Sequence, residues 1–229
     1  MATTKVIDVI QRVEDILQDE NIRWPRVELQ RWINESYLQI ALLRPDASSK
    51  SGTLTCIVGS RQTLDAAGGF STGLRLLDVV RNMATGSDKK VIRLISRSVL
   101  DDQRPAWHTE TGTLNAQNYT FDPRQPKDFF LYPPALATTT VEVVYADSPG
   151  AHDLSEAYLH PTTGSTTEMI NLDDVYLGSI IDWVLYRAYS KDAEYAANAQ
   201  RATLHNQAFL TSIGSKTQSD AGTAPTEAV

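Results

Sequence analysis

The chain has 229 residues, of which 41% are hydrophobic and 21% are charged, a composition typical of a globular protein with a buried core. Asp and Glu outnumber Lys and Arg by 28 to 21, and the resulting net charge of −7 argues against a protein dedicated to gripping phosphate groups. The single cysteine, Cys56, excludes a disulfide framework within the chain, and no apolar run approaches the length needed to span a bilayer.

Helical periodicity marks the amino-terminal region. The spacing of apolar residues predicts one amphipathic helix over residues 4–19 and a second that begins at Trp24-Pro25, because proline suits the first turn of a helix. The second helix is expected to end before Pro45. The residues expected to be buried are Val6, Ile10, Val13 and Leu17 in the first helix, and Leu29, Ile33, Tyr37 or Ser36, and Ile40 in the second.

Alternating hydrophobicity after Thr53 predicts β-strands, and residues 48–52 are interpreted as a linker before them. The connections are short and rich in glycine or proline, which favours antiparallel pairing. Cys56 lies between Leu54 and Val58 on the expected buried face of the first strand, so a buried thiol is favoured over a nucleophile. The predicted strands are residues 54–58, 74–83, 91–98, 118–121, 128–132 and 138–146.

A basic cluster lies on the third of these strands and directly before it. Lys89, Arg93 and Arg97 fall on alternate positions and are therefore expected to share one face. A solvated sheet face is the simpler interpretation, and contact with DNA or with an acidic neighbouring subunit is the alternative. Trp107, which follows Arg104-Pro105, is the tryptophan expected to be exposed at an interface, where aromatic residues supply much of the binding energy.

Residues 148–172 are rich in Pro, Gly, Ser and Thr and predict a long loop. His152 and His160 match no metal-binding spacing, so solvated histidines are favoured over metal ligands. Elsewhere too, the chain has no recognisable grouping of a nucleophile with a base, and neither catalysis nor a cofactor is expected.

Two helices are predicted after Asp173-Asp174, which are expected to cap the first of them. The first helix carries an apolar stripe from Ile180 to Tyr189. The second carries small residues, which let a neighbouring backbone approach closely and predict an interaction surface. Gly214 is expected to end the second helix and to begin a flexible tail. The small-residue stripe consists of Ala193, Ala196, Ala197, Gln200, Leu204, Gln207 and Ala208.

The order of these elements predicts an α+β fold. Residues 1–50 and 173–213 are expected to form a helical bundle, into which an antiparallel β domain of residues 51–147 is inserted. Residues 148–172 are expected to form the long loop, and residues 214–229 the flexible C-terminal tail. Two independent domains are the alternative, but they leave the first helix pair without enough partners to cover its apolar stripes.

Three segments carry a family resemblance. They are residues 186–195 (YRAYSKDAEY), residues 22–25 (IRWP) followed by Leu29, Trp32, Ile33 and Asn34, and Pro123-Arg124 leading to residues 129–134 (FFLYPP). Present together and in this order, they resemble the head-to-tail adaptor (connector) proteins of tailed bacteriophages.

The resemblance implies a structural virion protein, assembled in the host cytoplasm and present in the virion, with no catalysis and no cofactor. Family members form a ring of twelve copies beneath the portal and continue its DNA channel towards the tail, which serves DNA packaging and viral genome ejection. The implied partners are copies of the chain itself, the portal protein, tail or nozzle proteins, and double-stranded DNA that passes without specific binding. No membrane partner is implied.

There are two alternatives to this function. One is a small hydrolase that uses the long loop as a lid, and the other is a soluble helical protein that binds DNA.

Two sets of residues are expected to serve the contacts of an adaptor. The expected subunit interface comprises Trp107, Lys89, Arg93, Arg97, Tyr195, Ala196 and Ala197, and the expected portal-contacting tail includes Ser215, Thr217 and Val229.

Overall fold

A computed structural model describes residues 2–66, 69–160, 167–192, 194 and 196–223, with the backbone alone at residues 219–223. Within these residues the protein is α+β, as predicted. The helices are α1 (Val6–Leu17), α2 (Arg26–Leu43), α3 (Arg97–Gln103), α4 (Leu177–Lys191) and α5 (Ala196–Thr223). The strands are β1 (Ser49–Thr55), β2 (Gly59–Thr63), β3 (Gly73–Asn82), β4 (Arg93–Leu94), β5 (Asn118–Phe121), β6 (Asp128–Ala135) and β7 (Thr140–Asp147).

The chain forms two compact units. Residues 1–47 and 149–229 form the first, here called the helical unit, and residues 48–148 form the second, the β unit. In the helical unit, one hydrophobic cluster contains side chains from α1, α2, α4 and α5. The apolar stripes at the two ends of the chain are therefore buried in a common core.

The faces of α1 and α2 follow the predicted periodicity with two differences. Every residue expected to be buried in α2 is buried, but in α1 Leu17 is only partly buried, and Ile7 and Val9 join the core. Pro25 precedes α2 and does not form its first turn. The guanidinium of Arg26 donates to the carboxylate of Glu14 at 2.7 and 3.1 Å, so a buried, bidentate ion pair joins the two helices.

The predicted end of the last helix at Gly214 is wrong, because α5 continues to Thr223. Glycine in a helix costs about 1 kcal/mol relative to alanine, and it ends a helix only when the backbone turns left-handed. Here the preceding residue, Ile213, is anchored in the core, and the Thr217 hydroxyl donates to its carbonyl at 2.9 Å. Ser215 and Thr217 are thus helical, and Val229 lies outside the described residues.

The β unit contains two sheets. A three-stranded antiparallel sheet has the order β1-β7-β3, and a four-stranded sheet has the order β2-β6-β5-β4. The predicted linker at residues 48–52 is wrong, because β1 begins at Ser49 and pairs with β7 from Ser49↔Ala146 to Thr55↔Thr140. The predicted strand at residues 54–58 overlaps β1 only at Leu54 and Thr55. The first five residues of β1 escaped prediction because the strand lies at a sheet edge and buries only Leu54.

The predicted strand at residues 91–98 is also largely wrong. Only Arg93 and Leu94 form strand β4, and Arg97 is the first residue of α3. β4 runs parallel to β5, whereas only antiparallel pairing was predicted. The polar strand β2 was not predicted at all. Cys56 is buried beside Leu54 as expected, but Val58 is exposed.

Candidate interaction surfaces

The outer face of α5 is the first candidate surface. Ala202, Phe209 and Ile213 hold the opposite face of the helix in the core, and the Phe209 ring lies 5.0 Å from that of Trp183. Their spacing of seven and then four residues is a helical period that the sequence itself contains. Arg201, an exposed cation of α5, lies at the margin of the outer face, over the ring of Tyr189 at 5.6 Å. The outer face itself, opposite the buried residues, is exposed and consists of uncharged residues: Ala196, Ala197, Gln200, Leu204, Gln207, Ala208, Thr211, Gly214, Ser215 and Gln218.

This outer face includes every described residue of the small-residue stripe. Ala193 and Tyr195 lie outside the described residues. Because six turns of an exposed helix usually carry charged side chains, an uncharged face of this length is typical of a surface that meets another protein. The use of Ala196 and Ala197 at a subunit interface remains a prediction.

The C-terminal part of α5 extends beyond the start of α4. The hydroxyls of Ser179 and Ser212 lie 2.8 Å apart, and one turn later Lys216 lies over the ring of Tyr176, 5.6 Å from its centroid. Tyr176 directly precedes α4, so the residues of α5 after Lys216 pass the end of its partner helix. The final seven residues of α5 add about 10 Å of helix at 1.5 Å per residue.

The basic cluster does not form the single strand face that was predicted. Lys89 has a positive φ of 57°, which breaks the alternation of a strand, and its ammonium donates to the Met83 carbonyl at 2.6 Å. Arg97 belongs to α3, where it pairs with Asp101 and lies over the Phe130 ring. Arg93 is therefore the one member of the trio that lies in a strand.

Trp107 is not the exposed interface residue that was predicted. It is fully buried in a small cluster with Leu100 and Tyr132. Its indole N–H donates to the Asp101 carboxylate at 2.9 Å, and its ring stacks on His108. Asp101, in the C-terminal half of α3, is held by this bond and by Arg97.

The long loop is fixed to the helical unit at both described ends. His152 was predicted to be solvated, but it is buried, and its ring bridges the Tyr37 hydroxyl (2.9 Å) and the Glu168 carboxylate. Its backbone exchanges two hydrogen bonds of 2.9 Å with the Asn34 side chain. The prediction failed because a pattern rich in small polar residues does not show which side chain turns inwards.

Asp174 fixes the start of the chain. Its carboxylate accepts from the Thr3 hydroxyl (2.6 Å) and from the backbone N–H groups of Thr3 and Thr4 (2.8 and 3.1 Å). These donors, chiefly the Thr3 hydroxyl, lower the pKa of Asp174 to about 2. The predicted capping of the following helix is therefore wrong for Asp174, whose two oxygens accept from the other end of the chain.

A hydroxyl, a histidine and a carboxylate bonded in sequence could be taken for a catalytic relay, and Tyr37, His152 and Glu168 form such a chain. Their surroundings argue against that role. Tyr37 is 1% exposed, and burial raises the pKa of its phenol well above the ordinary value, so the hydroxyl is a neutral group that a substrate cannot reach. Burial likewise raises the pKa of Cys56 to about 12, which keeps the thiol protonated and unreactive.

Among the residues that the structure describes, no cluster of three or more His, Cys, Asp or Glu could hold a metal ion. No described helix is both long and apolar enough to cross a membrane. The described residues offer three surfaces: the outer face of α5, its C-terminal end, and the exposed side chains around β4.

Comparison with known families agrees with a surface-based role. A family model described as SU10 adaptor protein matches residues 4–228, which is nearly the whole chain. No curated protein matches the chain.

Proposed function

Since the chain belongs to the SU10 adaptor protein family, a family of phage head-to-tail adaptors, we propose that it assembles as a ring beneath the portal and continues the DNA channel towards the tail. The observation that carries this proposal is the uncharged outer face of α5. Family membership makes the chain a structural component of the virion, and the ring, its stoichiometry of twelve and the channel belong to the proposal.

The outer face of α5 is the surface on which one copy meets the next in this proposal. The helix has 28 residues and is therefore about 42 Å long. Small side chains such as Ala196 and Ala197 allow a neighbouring helix to approach closely, and Leu204, which is 63% exposed, supplies an apolar anchor. Burying exposed apolar surface contributes roughly 25 cal/mol per Å² of the area removed from water.

The projecting end of α5, together with residues 224–229, is the segment proposed to contact the portal. Ser215 and Thr217 belong to the last turns of this helix, and residues beyond Lys216 pass the end of α4. Ser215, Thr217 and Gln218 are exposed, and the last carbonyls of a helix have no partner within the helix, so both can serve a contact with another protein.

The acidic composition supports passage of DNA without retention. A net charge of −7 per copy repels phosphate groups, whereas a basic lumen would bind them and slow their movement. Double-stranded DNA is therefore proposed to pass the ring with no sequence-specific contact. Tail or nozzle proteins are the proposed partners on the opposite side.

Electron microscopy of the purified protein, mixed with portal protein, tests the ring directly. Ala197→Arg places a cation on the outer face of α5 and is expected to abolish ring formation. Ala106→Arg makes the same change at an exposed position of the β unit and serves as the matched control. Equal incorporation of both variants would show that the outer face of α5 is not the subunit contact.

A truncation tests the portal contact. Deletion of residues 219–229 leaves the contact of Lys216 with Tyr176 in place, so the shortened protein is expected to fold normally. Loss of attachment to portal with unchanged thermal stability is the expected result. Normal attachment would mean that the end of the chain has no role in docking.

A further inference from the structure

Charge is divided unevenly between the two units. The helical unit contains 18 Asp and Glu against 10 Lys and Arg, and the β unit contains 10 against 11. The two net charges, −8 and +1, add to the −7 of the chain. The whole acidic excess therefore lies in the helical unit, and a neighbouring copy offers an acidic surface to any cation on the β unit.

The exposed cations of the β unit are concentrated around strand β4. Residues 89–97 contain four cations and no acidic residue. Two exposed apolar side chains lie among them, Val91 at 60% and Leu94 at 64% exposure. We call Lys89, Lys90, Val91, Arg93 and Leu94 the β4 strip.

The side chains of this strip are little used by the β unit, although its backbone is bonded to β3. The N–H of Asn82 donates to the Lys90 carbonyl, the N–H of Ile92 donates to the Val80 carbonyl, both at 3.0 Å, and Val91 forms a bridge with Arg81. Lys90 pairs with Asp88 at 3.2 Å but remains 77% exposed at its side chain, and such a pair contributes little to stability. Arg93 has no ion pair within the described residues. A groove of about 540 Å³ lies alongside, lined by Lys90, Val91, Arg93, Asp88 and residues 115–118.

The backbone of β4 also has an amide that β5 does not use. The N–H groups of Arg93 and Ile95 bond to carbonyls of Gln117 and Tyr119, beside and within β5, at 3.1 and 2.9 Å. Because amides alternate along a strand, the amide of Leu94 between them faces away from β5. The strip thus combines cations, exposed apolar side chains and, at Leu94, an amide that faces away from β5 and follows the residues bonded to β3.

The helical unit has a surface of matching chemistry where α1 ends and the chain turns towards α2. Asp15 and Glu20 are exposed there and make no ion pair within the described residues. Ile16 is 49% exposed and Ile22 is 85% exposed, the latter the most exposed large apolar side chain among those described. We call these four residues the α1 corner.

We propose that the β4 strip of one copy binds the α1 corner of the next copy. Lys90 and Arg93 match Asp15 and Glu20 in charge, and Val91 and Leu94 match Ile16 and Ile22 in hydrophobicity. The contact joins two different surfaces, so repetition closes a ring or extends a filament. It rests on the proposed ring, to which it adds a second, charge-specific contact beside the outer face of α5.

DNA is the competing ligand for the same strip, and the structure favours a protein. A phosphate backbone offers no partner for Val91 and Leu94, whose burial is the apolar half of the contact. The ammonium of Lys89 donates to the Met83 carbonyl and Lys90 pairs with Asp88, and three cations in all are few for strong phosphate binding.

A charge-swap experiment tests the proposal. Sedimentation velocity at low ionic strength, where surface charges are least screened, measures self-association of three full-length proteins. These are the wild type, a strip variant (Lys90→Glu with Arg93→Glu) and a corner variant (Asp15→Lys with Glu20→Lys). Each variant alone is expected to associate at least tenfold more weakly than the wild type, and an equimolar mixture of the two is expected to restore association.

The matched control is Arg75→Glu with Arg124→Glu, which changes the charge of the β unit equally outside the strip and is expected to associate like the wild type. Wild-type association of the strip variant, no rescue in the mixture, or a wild type that stays monomeric would each overturn the contact. Binding of a duplex oligonucleotide that only the strip variant loses, with self-association unchanged, would assign the strip to DNA.

The outcomes also separate this contact from the proposed function. If the strip variant forms normal rings with portal protein, the contact is refuted and the ring proposal stands. If the wild type never forms rings with portal but the two variants rescue each other in the mixture, the ring proposal fails and the contact stands.

Discussion

Replacement of Phe209 by alanine is expected to detach α5 from the rest of the helical unit. Phe209 is 1% exposed and packs against Trp183, and it is the largest side chain that α5 buries. Removing a fully buried phenylalanine side chain costs about 3–5 kcal/mol through lost burial and the cavity that remains. For a protein of this size each kcal/mol lowers Tm by about 2–4 °C, so a fall of roughly 6–20 °C is expected.

The assay is thermal unfolding followed by near-UV circular dichroism, together with amide hydrogen exchange resolved by peptide. Exchange is expected to accelerate in α5 and α4, while peptides of β6 and β7 are unchanged. Leu204→Ala is the matched control, because Leu204 lies on the outer face of the same helix and its truncation is expected to change Tm by less than about 2 °C. A Phe209→Ala protein with the Tm of the wild type would refute the reasoning that α5 is held by this side chain.

Three further expectations concern buried or bonded groups. Glu14→Ala leaves the buried Arg26 guanidinium unpaired and is expected to cost about 3–5 kcal/mol, whereas Glu14→Met with Arg26→Met is expected to be nearly neutral; urea denaturation measures both. Asp174 has a folded pKa of about 2, below its ordinary 3.8, so the stability it contributes is present above about pH 4 and is lost as the pH falls towards 2. Asp174→Asn is therefore expected to melt below the wild type at pH 7 and to converge with it near pH 2, and a difference that does not depend on pH would contradict this assignment. Cys56, whose pKa is about 12, is expected to resist thiol reagents in the native protein and to react in denaturant.

The helices were predictable because each buries one face of a regular period. Ile10 in α1, Ile33 in α2 and Val184 in α4 each belong to a set of apolar residues that recur at helical spacing within their own helix. All three are fully buried. The antiparallel pair of β5 and β6 was predictable for a similar reason, since a short turn with two prolines joins two apolar segments.

Polar edge strands and inward-turned polar side chains were not predictable. Strand β2 has the sequence GSRQT, and its pairing with β6 depends on backbone hydrogen bonds that side-chain periodicity does not report. His152 is buried because Asn34, Tyr37 and Glu168 supply partners from distant parts of the chain. The expectation for Trp107 failed likewise, because Asp101 satisfies its indole N–H and makes burial favourable.

One of the candidate surfaces was predictable from the sequence, and the arrangement of the other was not. The outer face of α5 follows from composition, since one helix face without charges can be read from the sequence. The sequence could not show that Lys89, Arg93 and Arg97 fail to share one strand face. The left-handed backbone at Lys89 and the start of α3 at Arg97 interrupt the strand.

The pairing of β1 with β7 has a consequence for how the helical unit folds. Ser49 lies opposite Ala146, and the Ser48 hydroxyl donates to the Asp147 carbonyl at 2.6 Å, so the two ends of the β unit are adjacent. Once the β unit has folded, α2 and the segment before α4 are connected by an effective loop of a few residues. Shortening a loop roughly 25-fold lowers its closure entropy cost by about 3 kcal/mol. Assembly of the helical unit is therefore insensitive to the length of what is inserted between its halves, provided that the insert folds with its ends together.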